Sequence, residues 1–388
     1  VPPQQSRQHQ LACREVPAGI GQFGAVDAAD LAIEQFPAGA HVQAEFWNPG
    51  NCSQIRHLPC SKVQPRSSAL LAIRSSAPLP DTVRGCVLNH RQFRRREFPV
   101  DFLRPASLAA ALAMKAERPE AVPIAGGTDV MVELNFDQRR PAALLDLTGI
   151  GELGEWSSAD GVVRLGATVP YSRVIGELSG ALPALAMAAR TVGSPQIRNR
   201  GTVGGNLGAA SPAGDTHPVL LAVAAQVEVA SLRGTRTVPA ERFYTGVKAN
   251  ALAPDELITA IHLPVAAGPQ QFAKVGTRNA MVIAVCSFAL ALHPAQGRAG
   301  AAIGSAAPTP RRAAEAERFL ACELDWDAPR PLPDAVCRRF GELVAAASDP
   351  IDDVRGSAGY RRHALAVLAR RTLSWAWDER RGGDRPCA

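Results

Sequence analysis

The sequence predicts an α+β protein of more than one compact unit, and three observations carry that expectation. Its 388 residues exceed what one hydrophobic core normally serves. Short apolar runs alternate with amphipathic stretches through the middle of the chain, whereas strand-like segments precede helical ones in the last third. Two glycine-rich segments, Ile124-Ala125-Gly126-Gly127-Thr128-Asp129 and Gly201-Thr202-Val203-Gly204-Gly205-Asn206, stand at the ends of predicted elements, with Asp215 beyond the second.

The elements follow in order. Residues 1–97 have weak periodicity and contain none of the four methionines, and the remaining 388 − 97 = 291 residues suffice for a complete protein. The leading segment therefore reads as a disordered extension or as translated upstream sequence rather than as a domain. Ser107 is an N-cap for a helix through Glu117. Ala121 to Ala125 forms a strand entering the first glycine loop, residues 130–134 leave it, and Ala143 to Leu147 is a buried strand, giving a small first unit over 98–160. A second unit over 161–266 holds a strand at 162–167 and a helix at 171–178 capped near Thr168. It continues with a helix at 182–191, a helix at 218–224, a strand at 226–231 turning at Arg233-Gly234 into 236–238, and a strand at 256–263 stopped by Pro264. A third unit over 267–376 carries antiparallel strands at 272–275, 282–292 and 299–303, then helices at 311–322, 335–347 and 360–375, the last with a core-facing stripe of Leu365, Leu368, Ala369 and Leu373. Residues 377–388 are a tail.

Composition narrows the function classes. No run of about eighteen apolar residues occurs, so no membrane span is expected, and the start lacks a secretory pattern, which makes the cytoplasm the predicted location. The formal charge is +6, but residues 1–97 hold eleven basic and seven acidic side chains, so that segment supplies +4 and the rest only +2. Arg94-Arg95-Arg96 reads as a solvated run, and no nucleic-acid partner is expected. The eight cysteines, at 13, 52, 60, 86, 286, 322, 337 and 387, form no C-x-x-C and no clustered spacing, so neither an iron–sulfur cluster nor a metal site is predicted. No Ser/His/Asp or Cys/His set is present, and no catalytic residue is assigned.

Adjacent glycines remove Cβ atoms and permit positive φ, so successive N–H groups converge on one anion. Each pair alone is equally a tight turn; two pairs with polar followers suit a pyrophosphate. Neither segment is a mononucleotide P-loop or a G-x-G-x-x-G turn, because no Gly-Lys-Ser/Thr follows and the spacing from Gly201 differs.

Four stretches in order then resemble one family: Pro123 through Asp129; Gln196-Ile197-Arg198-Asn199 running into 201–206; Lys274-Val275-Gly276-Thr277-Arg278; and Asp353-Val354-Arg355-Gly356-Ser357 running into Tyr360-Arg361-Arg362. From Phe98 to about Leu373 the chain resembles the FAD-binding medium subunits of the molybdenum hydroxylases, the xanthine dehydrogenase and carbon monoxide dehydrogenase group. The resemblance implies a two-subdomain FAD-binding domain of the PCMH type over 98–266 and a C-terminal α+β flavoprotein domain over 267–376. It implies that Pro123, Ile124, Ala125, Gly126, Gly127, Thr128, Asp129 and Val130, with Thr202, Val203, Gly204, Gly205 and Asn206, line the FAD phosphates and ribityl chain. Backbone N–H groups of 125–128 and 203–206 are the expected donors, joined by the side chains of Thr128, Thr202 and Asn206.

By the same resemblance Asp215 accepts hydrogen bonds from the adenosine part, Ile258 touches adenine through its main chain, and Lys274 sets a cation near the flavin edge. Read without it, Asp215 is a turn or N-cap residue and Lys274 a surface lysine on an edge strand. Arg198 is expected to orient the second loop, and His217 to be a turn histidine rather than a covalent flavin link. The implied partners are a molybdopterin-binding large subunit, a small subunit with two 2Fe–2S clusters, and NAD or another electron acceptor. The alternatives are a stand-alone FAD reductase of related fold, like the enolpyruvyl reductase of cell-wall synthesis, and a non-catalytic bridging subunit.

Overall fold

The computed structural model describes residues 100–382. The expectations for residues 1–97 and for the end of the tail lie outside the described residues.

The first unit is a three-stranded parallel sheet of β1 (Asp101–Leu103), β2 (Val122–Ile124) and β3 (Ala143–Asp146), with β3 in the middle. Helix α1 (Leu108–Glu117) opens as its sequence predicts, because Ser107 Oγ accepts the Ala110 N–H at 3.2 Å. Lys115 is buried, and its ammonium closes the following turn on the carbonyls of Pro119 and Ala121, both at 2.7 Å. Helix α2 (Val130–Asn135) leaves the first glycine loop.

The second unit is a five-stranded antiparallel sheet in the order β4-β5-β10-β6-β7, formed by β4 (Trp156–Ala159), β5 (Val162–Gly166), β6 (Gln226–Ser231), β7 (Gly234–Pro239) and β10 (Leu257–Pro264). The predicted turn before β7 is present, with Gly234 at φ 122. Between β5 and β6 run α3 (Tyr171–Glu177), α4 (Pro183–Thr191), α5 (Pro195–Arg198), α6 (Val203–Ala209) and α7 (His217–Ala222). The cap of α3 is Pro170, not Thr168. After β7 come α8 (Ala240–Phe243) and a small ribbon of β8 (Tyr244–Gly246) and β9 (Ala249–Asn250).

The third unit is an antiparallel sheet of β11 (Gln270–Val275), β12 (Cys286–His293), β13 (Arg298–Gly304) and β14 (Arg311–Arg312), covered by α9 (Ala314–Glu323), α10 (Asp334–Ala346) and α11 (Ala358–Arg380). The expected strand at 282–292 begins only at Cys286, because residues 276–285 form an irregular connection. Ser357 Oγ accepts the Tyr360 N–H at 3.2 Å and starts α11, which buries Leu365, Leu368, Ala369 and Leu373 as the stripe predicts. One core cluster joins Val163, Leu207 and Ile261 of the second unit to Ala289, Ala291 and Ala302 of the third, so these units share an interior. Among the described residues no helix is long and apolar enough to cross a membrane.

Candidate functional site

Strand β2 delivers the chain to the first loop, where Gly127 takes φ 75, a conformation that costs glycine nothing and a side-chained residue about 1–2 kcal/mol. Its carbonyl accepts the Met131 N–H at 3.0 Å and starts α2. The N–H groups of Gly126, Gly127 and Thr128 donate to no protein acceptor among the described residues and remain available for an anion. Burial pushes the Asp129 carboxyl upward, with Glu133 adding to the shift.

The second loop is braced from behind. Arg198 Nη1 donates to the carbonyls of Arg190, Val192 and Gly193 at 3.1, 3.2 and 3.0 Å, the orienting role its position suggested. Thr202 then caps α6: its Oγ1 accepts the Gly205 N–H at 2.9 Å, and its carbonyl accepts the Asn206 N–H at 3.0 Å. This narrows the expected donor set, because those two N–H groups are committed within the helix turn, whereas the Thr202 hydroxyl, an acceptor there, keeps its own O–H to donate. Val203 and Gly204, in the first turn, keep N–H groups outside the helical ladder. One N–H of the Asn206 side-chain amide donates to Thr216 Oγ1 at 2.8 Å and positions the next loop, which leaves the second N–H of that group for a ligand.

The two loops touch. A Cβ built on Gly126 would lie 1.8 Å from the carbonyl oxygen of Arg200 and 2.9 Å from the nitrogen of Gly201, and one on Gly204 would lie 2.5 Å from the carbonyl oxygen of Ala167. These glycines let backbone pass against backbone. Gly205 differs: a Cβ there meets only Thr202 Oγ1, at 3.1 Å. Around this junction lies a cavity of about 960 Å³, walled by Pro123 to Val130, by Thr202, Gly204, Gly205 and Asn206, and by Asp215 and Ile258.

Two candidate side chains point away from the cavity. The Val203 side chain is buried in the shared core. Lys274 lies behind the wall, where its ammonium donates to Asp215 Oδ2 at 2.6 Å and to the carbonyls of Thr191 and Val282 at 3.0 and 3.1 Å, so it presents no spare N–H to the cavity. The Lys274 and Asp215 side chains are 10% and 8% exposed, which makes this a buried ion pair. Burial raises the Asp215 carboxyl, and Lys274 and the Thr191 hydroxyl, bonded at 2.9 Å, pull against that rise. His217 is buried, with Nδ1 2.7 Å from the Tyr244 hydroxyl, and burial drives its pKa down to about 3. Its ring does not wall the cavity, in keeping with a structural histidine.

Sequence reading missed the cavity wall formed by Met281, Val282 and Ile283, from the connection after β11. The available signal was Gly276, where a Cβ would fall 2.3 Å from Val282 Cγ1, so the chain folds back there before β12 can start. Tyr171 also walls the cavity while its ring is buried, and a Cβ on Gly201 would sit 3.3 Å from it.

Comparison with known proteins decides the family. Residues 95–266 match the FAD binding domain in molybdopterin dehydrogenase, and residues 271–376 match the CO dehydrogenase flavoprotein C-terminal domain. The xanthine dehydrogenase FAD-binding subunit of Escherichia coli O157:H7 is 32% identical over 286 residues, 70% of this chain and 94% of that protein. The chain belongs to the FAD-binding subunits of the molybdopterin dehydrogenases. The carbon monoxide dehydrogenase medium chain of Afipia carboxidovorans is 31% identical over 71% of this chain and 96% of its own length. A solved carbon monoxide dehydrogenase from Hydrogenophaga pseudoflava superposes with a TM-score of 0.66 at 27% identity, covering 72% of this chain and 97% of that one. This flavoprotein subunit is thus an oxidoreductase component with FAD as cofactor and the two-part α+β fold that its sequence predicts.

The cavity fits that cofactor on its own geometry. A diphosphate needs converging donors, and the unspent N–H groups of the first loop belong to residues that border the same cavity as the start of α6, beside a junction too tight for any Cβ at Gly126. The volume lies at the upper end of ligand pockets, about 300–1,000 Å³, as a dinucleotide requires.

Proposed function

We propose that this chain is the FAD-carrying electron-transfer subunit of a cytoplasmic molybdopterin-dependent hydroxylase. In this reading it takes electrons from the 2Fe–2S clusters of a small partner, which a molybdopterin-bearing large subunit reduces, and passes them to NAD or another acceptor. The observation that carries the reading is the contact of two glycine loops, from distant parts of the sequence, across one cavity. The names of the relatives support it: one is the nicotine 6-hydroxylase medium subunit of Paenarthrobacter nicotinovorans, 30% identical over 71% of this chain.

When bound, FAD supplies redox chemistry that no side chain here can supply, exchanging electrons singly or in pairs. The residues bind, orient and exclude. The N–H groups of Gly126, Gly127, Thr128, Val203 and Gly204 would hold the diphosphate, with the rest of Pro123 to Val130 and Thr202 to Asn206 shaping the cradle. Asp215 would accept from the adenosine hydroxyls, and the main chain of Ile258 would meet the adenine. Lys274 would act on the site through Asp215, keeping that carboxyl ionised as an acceptor.

The test is FAD titration of the deflavinated full-length protein against Gly205→Val. The wild type should take up one FAD and show bound-flavin absorbance. The variant, with a branched side chain projecting into the cradle, should retain none while keeping a wild-type far-UV dichroism spectrum. Full flavin occupancy in the folded variant would refute the assignment of the second loop.

A further inference from the structure

We propose that Arg361 is a positioning residue for the FAD cavity, fixing two of its walls from behind without touching the cofactor; the proposal rests on the cofactor reading above. Arg361 belongs to the fourth stretch that carries the family resemblance, Asp353 to Arg362, which lies outside both glycine loops and outside the cavity wall. Its side chain is 4% exposed, an unusual state for a guanidinium, and it spends its donors on four partners from three segments, the longest bond being Nε to the Gly356 carbonyl at 3.5 Å. Nη2 donates to Asp353 Oδ1 at 2.6 Å, and Nη1 donates to the carbonyls of Val285 and Ser305 at 2.8 and 2.6 Å.

Each carbonyl leads to the cavity. Val285 is held on its other side by its N–H to the Val275 carbonyl at 2.8 Å, and the chain just before it, Met281 to Ile283, is the hydrophobic wall. Ser305 stands at φ 59, a left-handed conformation that strains a serine and persists only where its surroundings over-determine it. Its surroundings do so: the carbonyl is held by Arg361, the hydroxyl donates to the Ala284 carbonyl at 2.6 Å, and the N–H donates to the Pro212 carbonyl at 2.9 Å. Pro212 lies in the segment from Ser211 to Asp215 that forms another part of the wall and carries the carboxylate paired with Lys274. A planar fork with fixed directions can hold two carbonyls and a carboxylate at once; a lysine ammonium cannot reproduce that geometry.

The experiment compares FAD affinity of the deflavinated full-length protein in the wild type, Arg361→Lys, Asp353→Asn and, as a control, Arg362→Lys, whose side chain is exposed. Visible circular dichroism of bound flavin reports wall geometry and would not respond to a role confined to fold stability. Arg361→Lys should weaken FAD binding about tenfold, within the usual range of coupling between separate sites, and should alter the flavin dichroism, while Arg362→Lys leaves both unchanged. Should Arg361→Lys fail to fold, Asp353→Asn, which keeps the shape of the anchor but not its charge, should move both readouts in the same direction by a smaller amount. Wild-type affinity and dichroism in whichever of the two variants folds, or a lowered urea midpoint with those readouts unmoved, would overturn the proposal. Absence of FAD binding by the wild type would instead defeat the cofactor reading.

Discussion

Lys274 and Asp215 form a pair whose two halves come from different units and are nearly sealed from water. Removing one partner of such a pair leaves a buried charge uncompensated, which costs far more than the pair itself contributes. Lys274→Met should therefore destabilise the protein by about 3 kcal/mol at pH 7, read as a lower urea midpoint, and should weaken FAD binding as Asp215 loses its charge. The orphaned carboxyl would titrate above its unfolded value, so the folded chain would bind the extra proton and the deficit should shrink as pH falls from 7 to 5. A deficit independent of pH would mean that Asp215 is not the group left stranded. This pair also marks the limit of the sequence at residue scale. The family resemblance singled out the lysine, but its pairing was not legible, because the partner lies 59 residues away and only folding brings the two together.

At the scale of elements, legibility follows local signals. The Ser107 cap, the Arg233-Gly234 turn and the α11 stripe each declare themselves within a few residues, and each is present in the fold. Helix α6 does not, since three glycines in seven residues argue against a helix, each costing about 1 kcal/mol relative to alanine. The helix forms because Thr202 caps it, Gly204 lets it pack on Ala167, and Val203 and Leu207 enter the shared core. The connection at 276–285 was hidden for a related reason: Val282 and Ile283 read as strand, yet they wall the cavity. Because α6 has so little intrinsic propensity, its cap should matter more than usual. Thr202→Val, which preserves shape and removes the acceptor, should lower stability by about 1–2 kcal/mol and weaken FAD binding, since the Gly205 N–H would lose its partner and the first turn would fray. Thr202→Ser should restore both. Unchanged urea midpoint and affinity in Thr202→Val would show that the turn is set by packing alone.

At the scale of the molecule, the second and third units are bound by one interior, and α7 carries His217 into it. The imidazole is fully buried, and burial lowers its pKa from 6.5 to about 3. Between those values the unfolded chain binds a proton that the folded chain refuses. Stability is therefore complete above 6.5 and is lost as pH falls below it, at up to about 1.4 kcal/mol per pH unit for one such group. His293, lowered to about 4 chiefly by burial with Arg298 adding, acts with the same sign but less, being partly exposed. Since the Gly214 backbone leans on the His217 ring, a Cβ there falling 2.2 Å from Nε2, opening this part of the core should also disturb the Ser211 to Asp215 wall. Acidification from pH 7 to 5 should thus lower the urea midpoint and release FAD over the same interval. His217→Gln keeps a hydrogen-bonding partner for Tyr244 without a titrating ring; it should be less stable at pH 7 but show a slope of stability against pH shallower by about one proton. If the slope of the variant equals that of the wild type, His217 is not the group through which acid enters the shared core.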